Sequence, residues 1–287
     1  MLKNIYKNDF SNSNFKVVAL LGIRNEALYL EKCLEHLYQQ GISTCIIDNN
    51  STDNSLDIAK SFTNRGVIQI ESLQFDGCFD LFKMLKYKEK LASEIKANWF
   101  IHHDADEIRE ASAKFANLYQ AILEVDKSGY NAINFDEFVF ISLNDNERNE
   151  GKDFVKTMKY YYFFEPYPLR RINAWKKNSS PINLADSGGH SVNFLERKIF
   201  PENFILRHYI GLSLSYIESK YSQRVHNEEN EVKRGWHGWR ARFSEYDLNL
   251  PSIQNLKFYS EDNKWNKTDI KIEHQFIKKK NNSYLRN

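Results

Sequence analysis

Short apolar runs alternate with amphipathic segments along the first hundred residues of the chain. Buried β-strands are predicted at four apolar runs: Lys16–Gly22, Thr44–Ile47, Val67–Ile70 and Trp99–His102. Helices are predicted between them: one with Asn25 as its N-cap and Gly41 as its stop, one near Ser55–Phe62 and one over Phe79–Ile95. This alternation predicts an α/β fold with a mostly parallel sheet flanked by helices.

Polar residues follow three of these predicted strands. They are Arg24-Asn25-Glu26, the stretch from Asp48 to Asp53, and the stretch from Asp104 to Glu107. The carboxyl ends of parallel strands meet at one edge of a sheet, where open α/β sheets bind ligands. No G-x-G-x-x-G follows the first strand and no G-x-x-x-x-G-K-[ST] occurs, which argues against dinucleotide and P-loop chemistry. A diphosphate bound here would need a metal as its counter-charge.

A pair of aspartates, Asp104 and Asp106, follows the last of the four strands. At a strand-to-loop transition they can hold one divalent cation, or divide a metal and a ribose between them. The alternative is an ordinary polar loop, because loops are rich in aspartate. His208 follows the apolar stretch Phe204–Leu206 and is a candidate second metal ligand, or else a strand-end histidine bonded to backbone.

Charge and cysteine content exclude several classes of protein. The 287 residues carry 40 basic and 38 acidic side chains, a net charge of +2 that gives no global field for nucleic acid. Cys33, Cys45 and Cys78 form neither a disulfide framework nor a zinc knuckle, so we expect the reducing cytoplasm. Neither a membrane-spanning stretch nor a signal peptide is predicted. The basic tail, Lys278–Lys280 with Arg286, is either a peripheral contact with the inner face of a membrane or a solvated terminus.

The motifs of the first half resemble those of glycosyltransferase family 2, whose catalytic domain has the Rossmann-like GT-A fold. The resemblance covers roughly Lys16 to Glu107: the strand before Arg24-Asn25-Glu26, the family's D-x-x-S-x-D pattern in the stretch from Asp48 to Asp53, and its D-x-D at Asp104-Ala105-Asp106. Later R-R, G-G-H and H-Y segments resemble a bacterial branch of the family. They are Arg170-Arg171, Gly188-Gly189-His190 and His208-Tyr209.

This resemblance implies a donor site, a metal site and a division of the chain. The implied donor-binding residues are Arg24, Asn25, Glu26, Asp48, Asn50, Asp53, Asp104 and Arg171. Asp106 and His208 would bind the Mn²⁺ or Mg²⁺ that bridges the diphosphate. A GT-A-like catalytic domain would span residues 1–210, with a nucleotide-sugar-binding half over about 16–107 and an acceptor half over about 108–210. A helical or irregular extension would span residues 211–287.

Inverting transfer needs a general base for the acceptor hydroxyl, and two residues beside Ser187-Gly188-Gly189 are candidates. Asp186 is favoured over His190 because the base of the family is usually a carboxylate, although the family's usual E-D pair is absent here. Asp136-Glu137 is a rival pair within a strand-like apolar stretch. The glycines either let backbone approach a sugar closely or simply form a turn.

Aromatic residues near the C-terminus suggest an acceptor or sugar pocket formed by Trp236, His237 and Trp239, because sugars stack on indoles. The alternative is an aromatic clamp that docks the C-terminal helix on the core. The charged segment Glu218–Lys233 is helix-compatible, and we expect most of it to be a solvated face.

The predicted function is metal-dependent, inverting transfer of a sugar from a nucleotide-sugar to a hydroxyl of a glycan or glycolipid in bacterial surface polysaccharide synthesis. A UDP-sugar is favoured as the donor. Two alternatives stay open at this point. One is a metal-dependent phosphoesterase that uses His102 and His103 with the aspartates, and the other is a nucleotide-sugar-binding domain without catalysis.

Overall fold

The computed structural model describes residues 14–144, 146–178, 180–236, 238–261 and 265–280. Strands and helices alternate in the first half: β1 (Val17–Ile23), α1 (Ala27–Gln39), β2 (Ser43–Asp48), α2 (Ser55–Ser61), β3 (Val67–Ser72), α3 (Leu81–Glu94) and β4 (Trp99–His103). The predicted strands and helices of this half are confirmed, with boundaries that differ by a few residues. The apolar runs identified β1, β2 and β4 because these strands are covered on both faces, as parallel strands usually are, whereas the edge strand β3 is only partly buried.

These four strands form a parallel sheet in the order β3-β2-β1-β4. Every residue of β4 is buried, and so are all but one residue of β1. Because the four strands are parallel, the loops that follow β1, β2 and β4 lie at the same edge of the sheet.

The second half adds β5 (Glu107–Glu110), α4 (Leu118–Lys127), β6 (Ala132–Phe140), α5 (Phe154–Thr157), β7 (Tyr160–Phe164), β8 (Ile172–Lys176) and β9 (Phe204–Tyr209). β8 pairs antiparallel with both β4 and β6, which makes one sheet of the two halves. β6 also pairs antiparallel with β7 and parallel with β9, while β5 pairs antiparallel with β9. The sheet is therefore mixed: the first four strands are parallel to one another, and the second half combines antiparallel pairs with the parallel pair β6 and β9.

After β9 the chain forms α6 (Leu214–Gln223), α7 (Glu228–Lys233), α8 (Gly238–Ala241), β10 (Tyr246–Leu248), β11 (Lys257–Phe258) and β12 (Ile277–Lys279). β11 extends the main sheet beside β7, and β10 pairs with β12. Two lysines of the basic tail therefore belong to a two-stranded sheet, whereas Arg286 lies outside the described residues. Within the described ranges, no helix combines the length and the apolar character needed to cross a membrane.

The first two strand-end loops hold one another in place. Asn25 is not the N-cap of α1: its backbone has a φ of 56°, and its side chain accepts the Thr52 N–H at 2.7 Å. The helix start is capped from the second loop instead, since the Ala27 N–H donates to Asp53 at 3.1 Å. The Glu26 N–H donates to Ser55 Oγ at 2.8 Å. A carboxylate at a helix N-terminus is favourable because it faces the positive end of the helix dipole.

The glycine pair before His190 forms a tight turn against two side chains. Gly188 has a φ of 65° and Gly189 a φ of 86°. A Cβ at Gly188 would lie 2.7 Å from Cγ of Trp236, and one at Gly189 would lie 2.9 Å from Nε2 of His102. The close approach is therefore to the protein's own rings, which agrees with the turn interpretation.

Replacing Gly189 by Ala should lower the free energy of unfolding more than replacing Gly129 by Ala. Gly129 has a φ of 80° and no atom within 4 Å of an added Cβ, so it isolates the cost of the backbone conformation. That cost is about 1–2 kcal/mol, and overlap with His102 should add about 1–3 kcal/mol at Gly189. Urea unfolding of both variants measures the difference, and equal losses would show that the His102 contact relaxes freely.

Candidate active site

A cleft opens at the carboxyl edge of the parallel strands. The loops after β1 and β4, the segment before β8 and the end of β9 line it, and residues of α6 and α8 close one side. The cleft is thus built jointly by the first half of the chain, the strands of the second half and the segment after β9.

Asp104 and Asp106 both line this cleft, as the sequence predicts. The Asp104 side chain is 55% exposed, and its Oδ1 lies 3.7 Å from Nζ of Lys88. Asp106 is more enclosed: Oδ1 lies 3.7 Å from Nε2 of His208, and Oδ2 lies 3.5 Å from Nζ of Lys220. The two predicted metal ligands, Asp106 and His208, therefore face each other directly.

A buried carboxylate holds His208 from behind. His208 Nδ1 lies 2.6 Å from Oε1 of Glu137, whose side chain is 1% exposed. Arg171 donates to the same carboxylate through Nε at 2.6 Å and Nη2 at 2.8 Å. Burial alone would lower the pKa of His208, but the carboxylates of Asp106 and Glu137 raise that pKa to about 10. The two carboxylates therefore favour the protonated ring when no metal is bound, and Nε2 can coordinate a metal only after losing its proton.

The donor atoms of Asp106 and His208 suit a divalent metal that binds together with a nucleotide. Across the described ranges, no three side chains of the Asp, Glu, His and Cys types converge into a complete metal cluster. Asp106 and His208 supply a carboxylate oxygen and an imidazole nitrogen, a combination acceptable to Mn²⁺. Mg²⁺ is commonly held by one or two carboxylates together with substrate phosphates. The residues present therefore fit a metal whose remaining ligands come from a diphosphate and water.

Two basic side chains of the extension reach into the cleft, contrary to the expectation that this segment is mostly solvated. Glu26 pairs with Lys220 at 3.3 Å and with Arg224 at 3.0 Å. The side chains of Lys220 and Arg224 are only 9% and 18% exposed. Their four-residue spacing puts both on one helical face and is the sequence signal that indicates a shared inward partner.

The other predicted donor-binding residues lie in the loops after β1 and β2. Arg24 donates to the backbone carbonyls of Asn49 and Asn50 at 2.6 and 2.7 Å, and its guanidinium lies 3.3 Å from the ring centroid of Phe75. The Asp48 carboxylate accepts the Ser51 N–H at 3.1 Å. Arg24 lines the main cleft.

The remaining members of the predicted donor set divide between a neighbouring groove and loop structure. Asn25 lines a groove beside the main cleft, together with Tyr216. The Asn50 side chain accepts the Phe75 N–H at 2.8 Å. Asp53 accepts backbone N–H groups at the start of α1 and α2, so in this structure its carboxylate shapes the loops.

Lys88 is a contributor to the cleft that sequence reasoning missed. Its side chain is 1% exposed, and its ammonium lies 3.0 Å from His102 Nδ1 and 3.1 Å from the His103 carbonyl oxygen. Burial lowers the pKa of Lys88, and the nearby Asp104 opposes this effect. A lysine on an otherwise amphipathic helix gives no sequence signal that it faces inward.

The two candidate bases occupy different places. Asp186 is exposed, accepts Asn183 Nδ2 at 2.8 Å and does not line the cleft, so its position argues against the role expected for it. His190 does line the cleft. Its Nε2 lies 3.0 Å from Nη2 of Arg170, and its Nδ1 lies 2.9 Å from Nη1 of Arg171.

The rival pair Asp136 and Glu137 is divided between the two faces of β6. Asp136 accepts Asn203 Nδ2 at 2.8 Å and pairs with Lys267, whereas Glu137 contacts His208. Side chains of successive residues in a strand point to opposite faces, which explains the separation. Glu137 therefore belongs to the site, as a support for His208.

The indoles expected in a sugar pocket do not line the cleft. Trp239 packs edge-on against Tyr221, with ring centroids 4.7 Å apart. Trp236 stacks near Phe82 at 6.5 Å and donates to the Asp186 carbonyl at 3.3 Å. These contacts correspond to the aromatic clamp, and His237 lies outside the described residues.

Comparison with known families supports the resemblance at the nucleotide-binding end. The family model described as Glycosyl transferase family 2 matches residues 20–75, which include most of β1 and the loops after β1 and β2. Over this segment the chain is similar to glycosyltransferase family 2. The matched segment ends before Asp104, so the match itself does not include the D-x-D motif.

Several solved structures are similar to this chain. Staphylococcus aureus TarS matches with a TM-score of 0.43 and 11% identity, covering 80% of this chain and 44% of TarS. TarS 1-349 in complex with UDP-GlcNAc matches with a TM-score of 0.44 and 11% identity, covering 80% and 73%. The mannosyltransferase PcManGT from Pyrobaculum calidifontis, in complex with GDP-Man and Mn²⁺, matches at 0.41 and 14%, covering 77% and 64%. No curated protein sequence matches the chain.

Replacing Glu137 by Gln should weaken Mn²⁺ binding in the presence of UDP by about 10- to 100-fold, because the carboxylate that orients His208 is lost. Calorimetric titration of Mn²⁺ into the UDP-loaded protein measures the change. Glu110→Gln is a matched control, since Glu110 pairs with Arg207 and has no contact with His208. Both variants should lose stability, which thermal unfolding reports. Equal Mn²⁺ affinity in the two variants would remove the orienting role from Glu137.

Proposed function

We propose that this protein transfers a sugar from a nucleoside diphosphate sugar, preferably a UDP-sugar, to a hydroxyl of a glycan or glycolipid. The observation that carries the proposal is the facing pair Asp106 and His208 at the carboxyl edge of the parallel strands. The pair lies in a cleft that is rich in cations. Seven basic side chains line it against four carboxylates. The basic residues are Arg24, Lys88, Arg170, Arg171, Lys220, Arg224 and Arg240.

The charged residues near Asp106 suit a leaving diphosphate. Lys220 and Arg224 present positive charge beside Asp106 and Glu26, where they can stabilise negative charge that develops as the sugar departs. Asp104 is exposed at the cleft and can accept a hydrogen bond from a ribose hydroxyl. Mn²⁺ or Mg²⁺ held by Asp106 and His208 would neutralise further charge on the diphosphate.

We assign the general base to His190, the candidate that lines the cleft. In the proposed step the acceptor oxygen attacks the anomeric carbon while the imidazole takes the hydroxyl proton. The bond from the anomeric carbon to the diphosphate oxygen breaks, and its electron pair leaves with the nucleoside diphosphate. This single displacement inverts the anomeric centre. Arg171 lies 2.9 Å from Nδ1 of His190 and is itself fixed by Glu137.

The alternatives have less support from the geometry. A two-metal phosphoesterase needs several His and Asp ligands around its metals. His102 contacts Lys88, His103 is fully buried against the Asp104 carbonyl, and the described residues contain no metal cluster. A binding domain without catalysis would not need an imidazole in the cleft. We also propose, from the family resemblance, a role in bacterial surface polysaccharide synthesis on the cytoplasmic side.

Replacing Asp106 by Asn should remove the Mn²⁺-dependent part of UDP binding while leaving the fold intact, because the residue follows the buried strand β4. Calorimetry of UDP binding with and without Mn²⁺ tests this. Asp136→Asn serves as the control, since Asp136 contacts Asn203 and Lys267 rather than the cleft. If the wild-type protein binds no UDP, or if Asp106→Asn keeps full Mn²⁺ dependence, the proposed donor site is wrong.

Replacing His190 by Ala should reduce kcat by about 10²- to 10⁴-fold, since a general base acts in the transition state. Donor affinity should change little. Asp186→Asn should transfer sugar at nearly the wild-type rate because its carboxylate lies outside the cleft. Steady-state transfer assays together with UDP binding separate the two roles, and a large loss of kcat in Asp186→Asn alone would return the base to Asp186. Hydrolysis of simple phosphate esters by the wild type would instead support the phosphoesterase.

A further inference from the structure

Two arginines of the cleft combine the lack of a carboxylate partner with a buried Nε that has no hydrogen-bond acceptor. They are Arg170 and Arg240, and no carboxylate of the described residues forms an ion pair with either. Arg171, Lys220 and Arg224 are each paired with a buried carboxylate, and Arg24 donates to two backbone carbonyls. Arg109 and Arg207 also have a buried Nε without an acceptor, but each is ion-paired with a glutamate. A buried donor without an acceptor is costly.

Aromatic rings hold both guanidinium groups in place without satisfying their N–H donors. Arg170 lies 5.6 Å from the ring centroid of Phe164, and Arg240 lies 5.7 Å from that of Tyr221 and 5.5 Å from that of Trp239. Contacts of this kind orient a cation but leave its hydrogen-bonding edge available. Burial and the nearby charge of Arg171 lower the pKa of Arg170 to about 10, and the Glu137 carboxylate opposes this effect only in part.

The histidine between Arg170 and Arg171 cannot satisfy both of them. A neutral imidazole has one acceptor nitrogen and a protonated ring has none. Arg171 is fixed by Glu137 and contacts His190 Nδ1 at 2.9 Å. Arg170 lies 3.0 Å from Nε2, so at most one of the two guanidinium groups finds an acceptor on the ring, and neither does while its lone pair takes the proton of the acceptor hydroxyl. An oxygen atom from a ligand would relieve this arrangement by accepting from Arg170.

These arginines come from other elements of the chain than the loops that carry Glu26 and Asp106. Arg170 precedes β8 and Arg240 lies on α8. The cations beside Asp106 and Glu26 are different residues, Lys220 and Arg224. His190, the proposed base, lies 3.0 Å from Arg170 and 2.9 Å from Arg171.

We propose that Arg170 and Arg240 bind an anionic group, phosphate or carboxylate, that is carried by the acceptor, and thereby bring its hydroxyl to His190. Guanidinium groups match the paired oxygens of both anions. A neutral glycan would leave the buried donors unmatched, so the site selects a charged acceptor. This inference rests on the proposed function, because it assumes that the rest of the cleft holds the nucleotide-sugar.

Three monosaccharides, two with an anionic group at C6 and one neutral, test the proposal by calorimetry. Glucose 6-phosphate, glucuronate and methyl glucoside are titrated into the full chain saturated with UDP and Mg²⁺. We expect binding of the phosphate, the carboxylate or both, and none of the neutral sugar at the same concentrations. The stronger of the two anionic probes identifies the group that the acceptor carries.

Variants of the two arginines assign the binding to this site. Arg170→Gln and Arg240→Gln should each weaken the anionic probe by about tenfold, the loss expected for one charge-assisted hydrogen bond. Affinity for UDP should stay within about twofold, because the cations beside Asp106 and Glu26 are Lys220 and Arg224 rather than Arg170 and Arg240. Arg170→Lys keeps the charge and should fall between wild type and Arg170→Gln. Arg242→Gln is the matched control, since Arg242 lies close to Arg240 in sequence but pairs with Glu228 and does not line the cleft.

The outcomes separate this inference from the proposed function. If the wild type binds no UDP, the proposed function fails, and the inference fails with it. If UDP binds but neither anion binds better than methyl glucoside, the inference alone is overturned. Loss of UDP and anion affinity together in both Gln variants would place the arginines at the donor diphosphate and also overturn it. Thermal unfolding checks that each variant is folded. If Arg170→Gln does not fold, the affinity of Arg240→Gln for the anionic probe tests the proposal.

Discussion

The buried carboxylate of Glu137 fixes the geometry of the candidate site. It accepts from Arg171 and His208 together, and a carboxylate with 1% of its side chain exposed is tolerable only when such partners neutralise it. Arg171 in turn contacts His190, and His208 faces Asp106. Because β6 pairs with β7, β8 and β9, the carboxylate is set by the centre of the second half of the sheet. The proposed base and the proposed metal ligands therefore share one rigid support.

The three parts of the chain contribute different chemistry to the cleft. The first half of the chain provides the loops after β1, β2 and β4. The first two cap one another and include Glu26, and the third carries Asp104 and Asp106. The acceptor half provides Glu137, Arg171 and His208 from its strands and strand ends. The extension provides Lys220, Arg224 and Arg240, so most of the positive charge on one side of the cleft comes from outside the sheet. Recognition of an anionic donor and an anionic acceptor can thus be adjusted in the extension without altering the sheet.

Sequence patterns predicted the first half well because burial on both faces leaves a continuous apolar signal, and because Asp104 and Asp106 directly follow a strand. They predicted the rest of the site less well for a physical reason. Whether Asp186 points into a cleft depends on the turn at Gly188, and the inward position of Lys220 depends on Glu26, which is 194 residues away. The sequence indicated Glu137 only as a rival candidate for the base, because its partners Arg171 and His208 come from the start of β8 and from β9. Local periodicity carries no information about such distant pairs.

The contact between Glu26 and the end of α6 also bears on the order in which the protein assembles. Arg224 and Glu26 are 198 residues apart, so the β1–α1 loop is synthesised long before its partners. Domains tend to fold as they emerge, and contacts that close long loops form late. The parallel strands can thus be in place on the ribosome while Glu26 still lacks its counter-charges. The cationic side of the cleft is then completed only when α6 has been made, so Glu26 meets Arg224 after another 198 residues have been synthesised.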